Sequence, residues 1–223
     1  MMARIDDFIQ ARALSMRELS GKDIDSIARF SGATIKNDSA GIPGSLSIKF
    51  LNRDIIISWP EMEFSYGDFD EDVPVQQQVL VLHYINGAFN SKITRNEHEW
   101  VSFQDIPDGR FYMDAFIKRA KEPLLKTFGS SPEKMVELAY GIYNASPLEH
   151  GDFSVMVNAF PMAPVALVLW EGDDEFPAEG NILFDRSISR MLSAEDIALL
   201  AGMVVYPLVG MAKDKREDLK SEI

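Results

Sequence analysis

Apolar residues recur every three or four positions through the first thirty residues, which is the spacing of a helix with one buried face. This spacing predicts one helix over residues 4–20, ended by Gly21, and a second helix over 23–30 that begins at Asp23 and is ended by Gly32. Glycine commonly follows the end of a helix, and aspartate is a favoured first residue because its carboxylate accepts a hydrogen bond from an unpaired backbone N–H. We therefore predict a helical N-terminal piece over residues 1–32.

The same spacing returns later in the chain. It predicts four further helices, over residues 73–89, 111–128, 131–142 and 193–211. Pro123 lies inside the second of these, so we expect a kink or a restart there, because proline has no N–H to donate. The Ser131 hydroxyl is predicted to cap the third helix. Ser193 and Asp196 resemble a capping box at the start of the fourth, whose residues 197–211 are apolar and favour a buried core helix.

Two other parts of the chain have the pattern of β-strands. Residues 45–50 alternate between polar and apolar, and residues 55–57 are three β-branched isoleucines, so a hairpin is predicted over 45–58. Residues 153–157 alternate as well, whereas 165–170 are apolar throughout, which is typical of a strand buried on both faces.

Together these elements predict an α+β fold. We expect a single domain over residues 1–223, with a mixed or antiparallel sheet from residues 33–58 and 152–184 and with helices packed on that sheet. The charged tail over 212–223 is expected to fray.

Charge and composition exclude several functional classes. The 223 residues carry a net charge of −13, which disfavours binding to nucleic acid and to anionic membranes. The sequence has no cysteine, which excludes disulfides, thiol nucleophiles and protein-ligated iron–sulfur clusters. The apolar residues 197–211 are too few to cross a bilayer, and the N-terminus has no signal-peptide pattern, so a cytoplasmic location is predicted. The sequence predicts no cofactor and no resident metal.

The densest candidate chemistry lies between residues 173 and 185. Five carboxylates fall within these 13 positions, namely Asp173, Asp174, Glu175, Glu179 and Asp185. The segment follows the predicted strand 165–170, and loops held by rigid elements often carry function. Phe176 is an aromatic residue among these charges, so we expect the loop to be held by its surroundings in a shaped recess. The predicted binding residues are Asp152, Trp170, Asp174, Glu175, Phe176 and Asp185.

These residues support three hypotheses. The first is a non-catalytic domain that binds a small molecule or a protein partner. The second is an enzyme that works with carboxylates and Mg²⁺ or Ca²⁺, in which Asp152 and His150 would transfer protons and Asp174, Glu175 and Asp185 would bind the metal. The third is a structural subunit of a redox complex, for which an exposed apolar patch would be the sign. The chain lacks the sequence motifs of serine hydrolases, zinc proteases, P-loop proteins and dinucleotide-binding domains.

Several motifs also resemble those of a known family. They include Pro107-Asp108-Gly109-Arg110, Phe160-Pro161-Met162-Ala163-Pro164 and Asp174-Glu175-Phe176-Pro177-Ala178. Over roughly residues 20–210 the chain resembles domain of unknown function family 3786, which occurs in bacteria and archaea. Some relatives carry an additional cysteine-rich iron–sulfur segment, so the resemblance implies a link to redox or one-carbon metabolism. This chain has no cysteine, so any such cluster would belong to a partner.

Overall fold

The computed structural model describes residues 5–37, 43–68 and 70–221. The chain forms two compact units. The first unit contains the residues up to Asn96, together with Phe160–Met162 and Arg190–Leu192, and the second unit contains the remainder. The prediction of a single domain over 1–223 stays a prediction.

Three helices of the first unit pack together: α1 (Ile5–Leu19), α2 (Ile24–Ser31) and α3 (Val75–Ser91). The predicted cap of α2 is confirmed, because the Asp23 carboxylate accepts from the Ser26 N–H at 2.9 Å. Gly32 ends the helix with a φ of 71°, in the left-handed region that glycine adopts without a steric penalty.

The first unit also contains a four-stranded antiparallel sheet in the order β1-β2-β3-β4. Its strands are β1 (Thr34–Asn37), β2 (Pro43–Phe50), β3 (Arg53–Ser58) and β4 (Phe64–Tyr66). The predicted hairpin over 45–58 is confirmed, with Ser45 opposite Ser58 and Phe50 opposite Arg53. Leu51 and Asn52 form its two-residue turn, and both have the positive φ angles that favour a tight twist between paired strands.

Tyr84 of α3 joins α2 to the tip of a later hairpin inside this unit. Its hydroxyl donates to the Ser31 carbonyl at 2.8 Å and accepts from the Met162 N–H at 3.1 Å. Its ring stacks on Phe160, with centroids 4.2 Å apart. Burial raises the pKa of the Tyr84 hydroxyl well above its ordinary range, so the group stays neutral and satisfies one backbone acceptor and one backbone donor.

The second unit contains a long helical run from Gly109 to Phe128. It consists of α4 (Gly109–Phe116), a π-turn (Ile117–Lys121) and α5 (Glu122–Phe128). The Glu122 N–H donates to the Ile117 carbonyl, five residues earlier, which is the hydrogen bond of a π-turn. The expected disturbance at Pro123 is therefore a π-turn just before it, and the run continues without a break.

The remaining helices of the second unit are α6 (Pro132–Tyr143) and α7 (Ala194–Ser221). The predicted start of α6 is confirmed, but the Ser131 side chain forms no capping hydrogen bond, so its predicted role is wrong. At α7 the capping box is confirmed, since the Ser193 hydroxyl accepts from the Asp196 N–H at 3.2 Å and donates to the Asp196 carboxylate at 2.7 Å.

Helix α7 forms the predicted apolar core element, and its inward residues from Ile197 to Leu208 are fully buried. It continues as a helix to Ser221, through most of the tail for which we predicted fraying, and the last two residues lie outside the described part of the chain. Within that part, the segment Ala194–Lys213 is long and apolar enough to span a membrane, and 56% of its apolar stretch is buried inside the protein. A buried core helix meets the same criteria, so this finding leaves the location of the protein a prediction.

A five-stranded antiparallel sheet completes the second unit, in the order β5-β9-β8-β7-β6. The strands are β5 (Trp100–Ser102), β6 (Ser146–Pro147), β7 (Phe153–Phe160), β8 (Ala163–Trp170) and β9 (Glu179–Asp185). The predicted α+β class is confirmed, but strands from 33–58 and from 152–184 lie in separate sheets. Strands β1 to β4 pair with one another. The sequence pattern of a single strand does not show which other strand it pairs with.

Candidate functional site

The predicted site lies at one end of the second sheet, where residues 171–178 connect β8 to β9. Strand β8 is buried along its length until Trp170, which pairs with Glu179 across the base of this connection. Residues 171–177 are all exposed and Ala178 is half-buried. We call residues 171–178 the acidic loop.

Asp173 organises the centre of the acidic loop. Its carboxylate accepts from the Glu175 N–H at 2.8 Å and from the Phe176 N–H at 2.7 Å. Its own N–H donates to the Phe176 carbonyl at 2.8 Å, which closes the turn. The hydrogen bonds from the Phe176 and Glu175 amides lower the pKa of Asp173 below its ordinary value, because they stabilise the charged form. The turn is therefore defined by its own hydrogen bonds although it is exposed.

Asp152 holds the entrance to the acidic loop. Its carboxylate accepts from the Glu171 N–H at 2.9 Å, and its own N–H donates to the Leu169 carbonyl at 3.1 Å. Gly151, before it, has a φ of 61° and lies so close to the sheet that a Cβ atom there would be 3.1 Å from Cε2 of Trp170. The predicted site residues Asp152 and Trp170 are thus neighbours at the loop entrance.

Gly172 lets the acidic loop fold back on itself. A Cβ atom at this position would lie 2.6 Å from the Ala178 nitrogen and 3.0 Å from the Phe176 carbonyl oxygen. At the exit, a Cβ atom at Gly180 of β9 would lie 2.8 Å from Cδ2 of Leu169 in β8. These contacts, like the hydrogen bonds of Asp152 and Asp173, hold the backbone of the loop, as the sequence led us to expect.

The side chains of the acidic loop are presented outwards, so no recess encloses Phe176. This ring is 67% exposed and Trp170 is 36% exposed. Asp174 and Glu175 are exposed as well. The structure thus brings five of the six predicted residues to one end of the sheet, and three of them lie on the exposed acidic loop.

The sixth predicted residue, Asp185, has a different role. It is 2% exposed, and its carboxylate accepts hydrogen bonds from the N–H groups of Glu97, His98 and Ser187. The Ser187 hydroxyl donates to it as well, at 2.5 Å. Asp185 therefore fixes the backbone that leads into β5 and the backbone that leaves β9, and its carboxylate is occupied with these donors.

The carboxylates that the enzyme hypothesis names as metal ligands do not come together in a metal site. Among residues 5–37, 43–68 and 70–221, no group of three or more His, Asp or Glu side chains could hold a metal ion. The His150 N–H donates to the Ser154 hydroxyl at 3.1 Å, and that hydroxyl donates to the Leu148 carbonyl. His150 thus lies in a hydrogen-bonded turn.

One feature that the sequence predictions missed is a cavity of about 460 Å³ between the helical run Gly109–Phe128 and α7. Three lysines line it: Lys118, Lys126 and Lys213. The sequence contained two signals for this cavity. The basic run Lys118-Arg119-Ala120-Lys121 lies just before Pro123, and a proline inside a helical pattern indicates a local distortion of the helix.

The lowered pKa of Asp173 predicts how the acidic loop responds to acid. A carboxylate with a depressed pKa contributes its hydrogen bonds above its ordinary pKa and loses them as the pH falls through the lowered value. We therefore expect the amide proton shifts of Glu175 and Phe176 to titrate together in NMR spectra, with a midpoint below about 3.9. Asp173→Asn should abolish this titration and Asp174→Asn should preserve it; a midpoint at the ordinary value would contradict the assigned hydrogen bonds.

Comparison with known proteins adds one match. A family model for a domain of unknown function (DUF3786) matches residues 23–206, which is most of the chain. No curated protein and no solved structure matches it. The resemblance that we predicted over roughly residues 20–210 is thereby confirmed. The chain belongs to the DUF3786 family.

Proposed function

We propose that the protein is a non-catalytic binding domain and that its acidic loop binds a protein partner. The observation that carries the proposal is Phe176, a 67% exposed aromatic ring on a turn whose backbone is fixed by Asp173. Large exposed rings are frequent anchors of protein interfaces, where a few residues supply most of the binding energy. A loop that is already ordered loses less conformational entropy on binding, which favours affinity.

The charges around Phe176 indicate the chemistry of the partner. The acidic loop and the first residue of β9 carry five exposed carboxylates, at Glu171, Asp173, Asp174, Glu175 and Glu179. Opposite charges across an interface accelerate encounter and fix orientation. The partner surface should therefore combine basic side chains with an apolar pocket or residue for the ring. The family resemblance implies redox or one-carbon metabolism as the context of this partner.

An exposed turn fits a protein partner better than a small molecule. Small-molecule sites are concave and bury most of their ligand, whereas Phe176 and its neighbouring carboxylates are presented to solvent. The alternative of a carboxylate-based, Mg²⁺- or Ca²⁺-dependent enzyme has less support, because Asp185 is buried and bonded to backbone amides away from the acidic loop.

A peptide library displayed on phage tests the proposal. Peptides selected on the wild-type protein are expected to be enriched in Lys, Arg and apolar residues. Phe176→Ala should weaken their binding by about 30-fold or more, as for a typical interface anchor, and leave the melting temperature unchanged because the ring is exposed.

Phe111→Ala is the matched control, since Phe111 is 86% exposed and belongs to α4 rather than to the loop. Its effect on the selected peptides should be negligible. If Phe176→Ala and wild type bound the peptides equally, or if Phe111→Ala weakened them as much, the acidic loop would not be the binding surface.

A further inference from the structure

We infer that the protein has a second binding site, for a small organic anion, in the cavity between the helical run Gly109–Phe128 and helix α7. Five lining residues lie along one side of the run, and they are Lys118, Glu122, Pro123, Lys126 and Thr127. The facing side of α7 contributes Tyr206, Val209, Ala212 and Lys213. The two helical elements pack directly on each other within the second unit.

The charge of the cavity is opposite to that of the protein. Its lining has three lysines and one carboxylate, whereas the whole chain has a net charge of −13. Glu122 binds Lys126 at 2.6 Å, one helical turn away. The hydrogen bond from Lys126 and the charges of Lys126 and Lys118 lower the pKa of Glu122, so it stays ionised and offsets one lysine. Two positive charges remain in excess, which favours an anionic group.

The rest of the lining suits an apolar body attached to that anionic group. Pro123, Val209 and Ala212 supply aliphatic surface, and Tyr206 supplies an aromatic face. The volume of about 460 Å³ lies within the range of small-molecule sites, about 300 to 1,000 Å³. Thr127 adds a hydroxyl that can donate to a phosphate or carboxylate oxygen. The inferred ligand is thus an organic phosphate or carboxylate with an aromatic or short aliphatic portion.

The backbone next to the cavity is unusual in a way that agrees with a site. Lys118 lies within the π-turn Ile117–Lys121, and Pro123, two residues after the end of that turn, also lines the cavity. Single π-turns inside α-helices are rare and are found frequently at functional sites. None of the lining residues belongs to the acidic loop, so this inference does not rest on the proposed partner binding and either can fail without the other.

Calorimetric titration with four compounds tests the inference. Phenyl phosphate and benzoate carry an anionic group on an aromatic ring, inorganic phosphate lacks the ring, and benzyl alcohol lacks the charge. We expect at least one of the two aromatic anions to bind more tightly than both inorganic phosphate and benzyl alcohol, and the better one identifies the head group. The double variant Lys118→Gln/Lys213→Gln should weaken that binding by about tenfold or more, because hydrogen bonds between charged groups are lost.

Lys36→Gln/Lys49→Gln is the matched control, because it removes two lysines from the first unit, on β1 and β2. Its affinity for the aromatic anion should equal that of the wild type. The inference is overturned if neither aromatic anion binds more tightly than inorganic phosphate, or if the Lys118/Lys213 double variant binds as well as the control.

Discussion

Gly87→Ala is expected to lower the free energy of unfolding by about 3 kcal/mol or more, through overpacking against rigid backbone. Gly87 lies in the interior of α3, where a Cβ atom would come within 2.0 Å of the Met191 carbonyl oxygen and 2.6 Å of its Cα atom. The neighbouring segment is held in place, since the Ser91 hydroxyl donates to the Arg190 carbonyl at 2.5 Å. Backbone atoms fixed in this way cannot move aside as a flexible side chain would.

The sign of this effect is opposite to what helix propensity alone would give, since alanine is favoured over glycine by about 1 kcal/mol in a helix interior. Gly141→Ala provides the matched control. Gly141 lies in α6, and nothing lies within 4 Å of the position its Cβ would take. This variant should be as stable as the wild type or more so. Urea denaturation of both variants checks the pair, and equal stabilities would contradict the close approach of Met191 to α3.

Asp185→Ala is expected to destabilise the protein by about 3 kcal/mol, since several backbone donors lose a charged acceptor at once. The N–H groups of Glu97, His98 and Ser187 would all lose their partner. His98 also has a φ of 58°, in the left-handed region that is unfavourable for residues other than glycine, and the bond from its N–H to Asp185 helps to hold that conformation.

Two further variants separate this structural role from a role in binding. Asp185→Asn keeps one oxygen acceptor and should have an intermediate stability. Asp174→Ala removes an exposed carboxylate of the acidic loop and should change the free energy of unfolding by less than about 0.5 kcal/mol. Chemical denaturation checks the order of the three variants. If Asp185→Ala were as stable as Asp174→Ala, the assigned role of Asp185 would be wrong.

The sequence predicted the local features of the fold well. Asp23 caps a helix, Gly32 ends it, and Ser193 forms a capping box with Asp196, all as expected. The hairpin over 45–58 also matches. Each of these features is decided by residues within a few positions of one another, so a single sequence contains the information that determines it.

Apart from the Ser131 cap, the misses concern interactions between distant parts of the chain. The pairing of β5 with β9 brings together residues about 80 positions apart, and no strand's own pattern identifies its neighbour. Asp185 was grouped with the acidic loop because it is near it in sequence, whereas two of its donors come from residues 97 and 98. The cavity at Lys118 arises only when α7 packs on the helical run.

In the acidic loop, one expectation from the sequence agrees with the structure and another does not. Its carboxylates and Phe176 were evident from the sequence, and the expectation that the scaffold holds its backbone agrees with the hydrogen bonds of Asp152 and Asp173. The expected recess does not enclose Phe176, because the exposure of this ring depends on where the turn lies relative to the sheet, and the order of residues does not contain that information.

The proposed function depends on the claim that an ordered turn presents an exposed aromatic ring. NMR relaxation of the backbone ¹⁵N nuclei in the acidic loop measures how ordered that turn is. The amides of Glu175 and Phe176, which donate to Asp173, should have order parameters near about 0.85, the value typical of rigid backbone. Order parameters below about 0.6 at these amides would indicate a flexible loop and would contradict the claim.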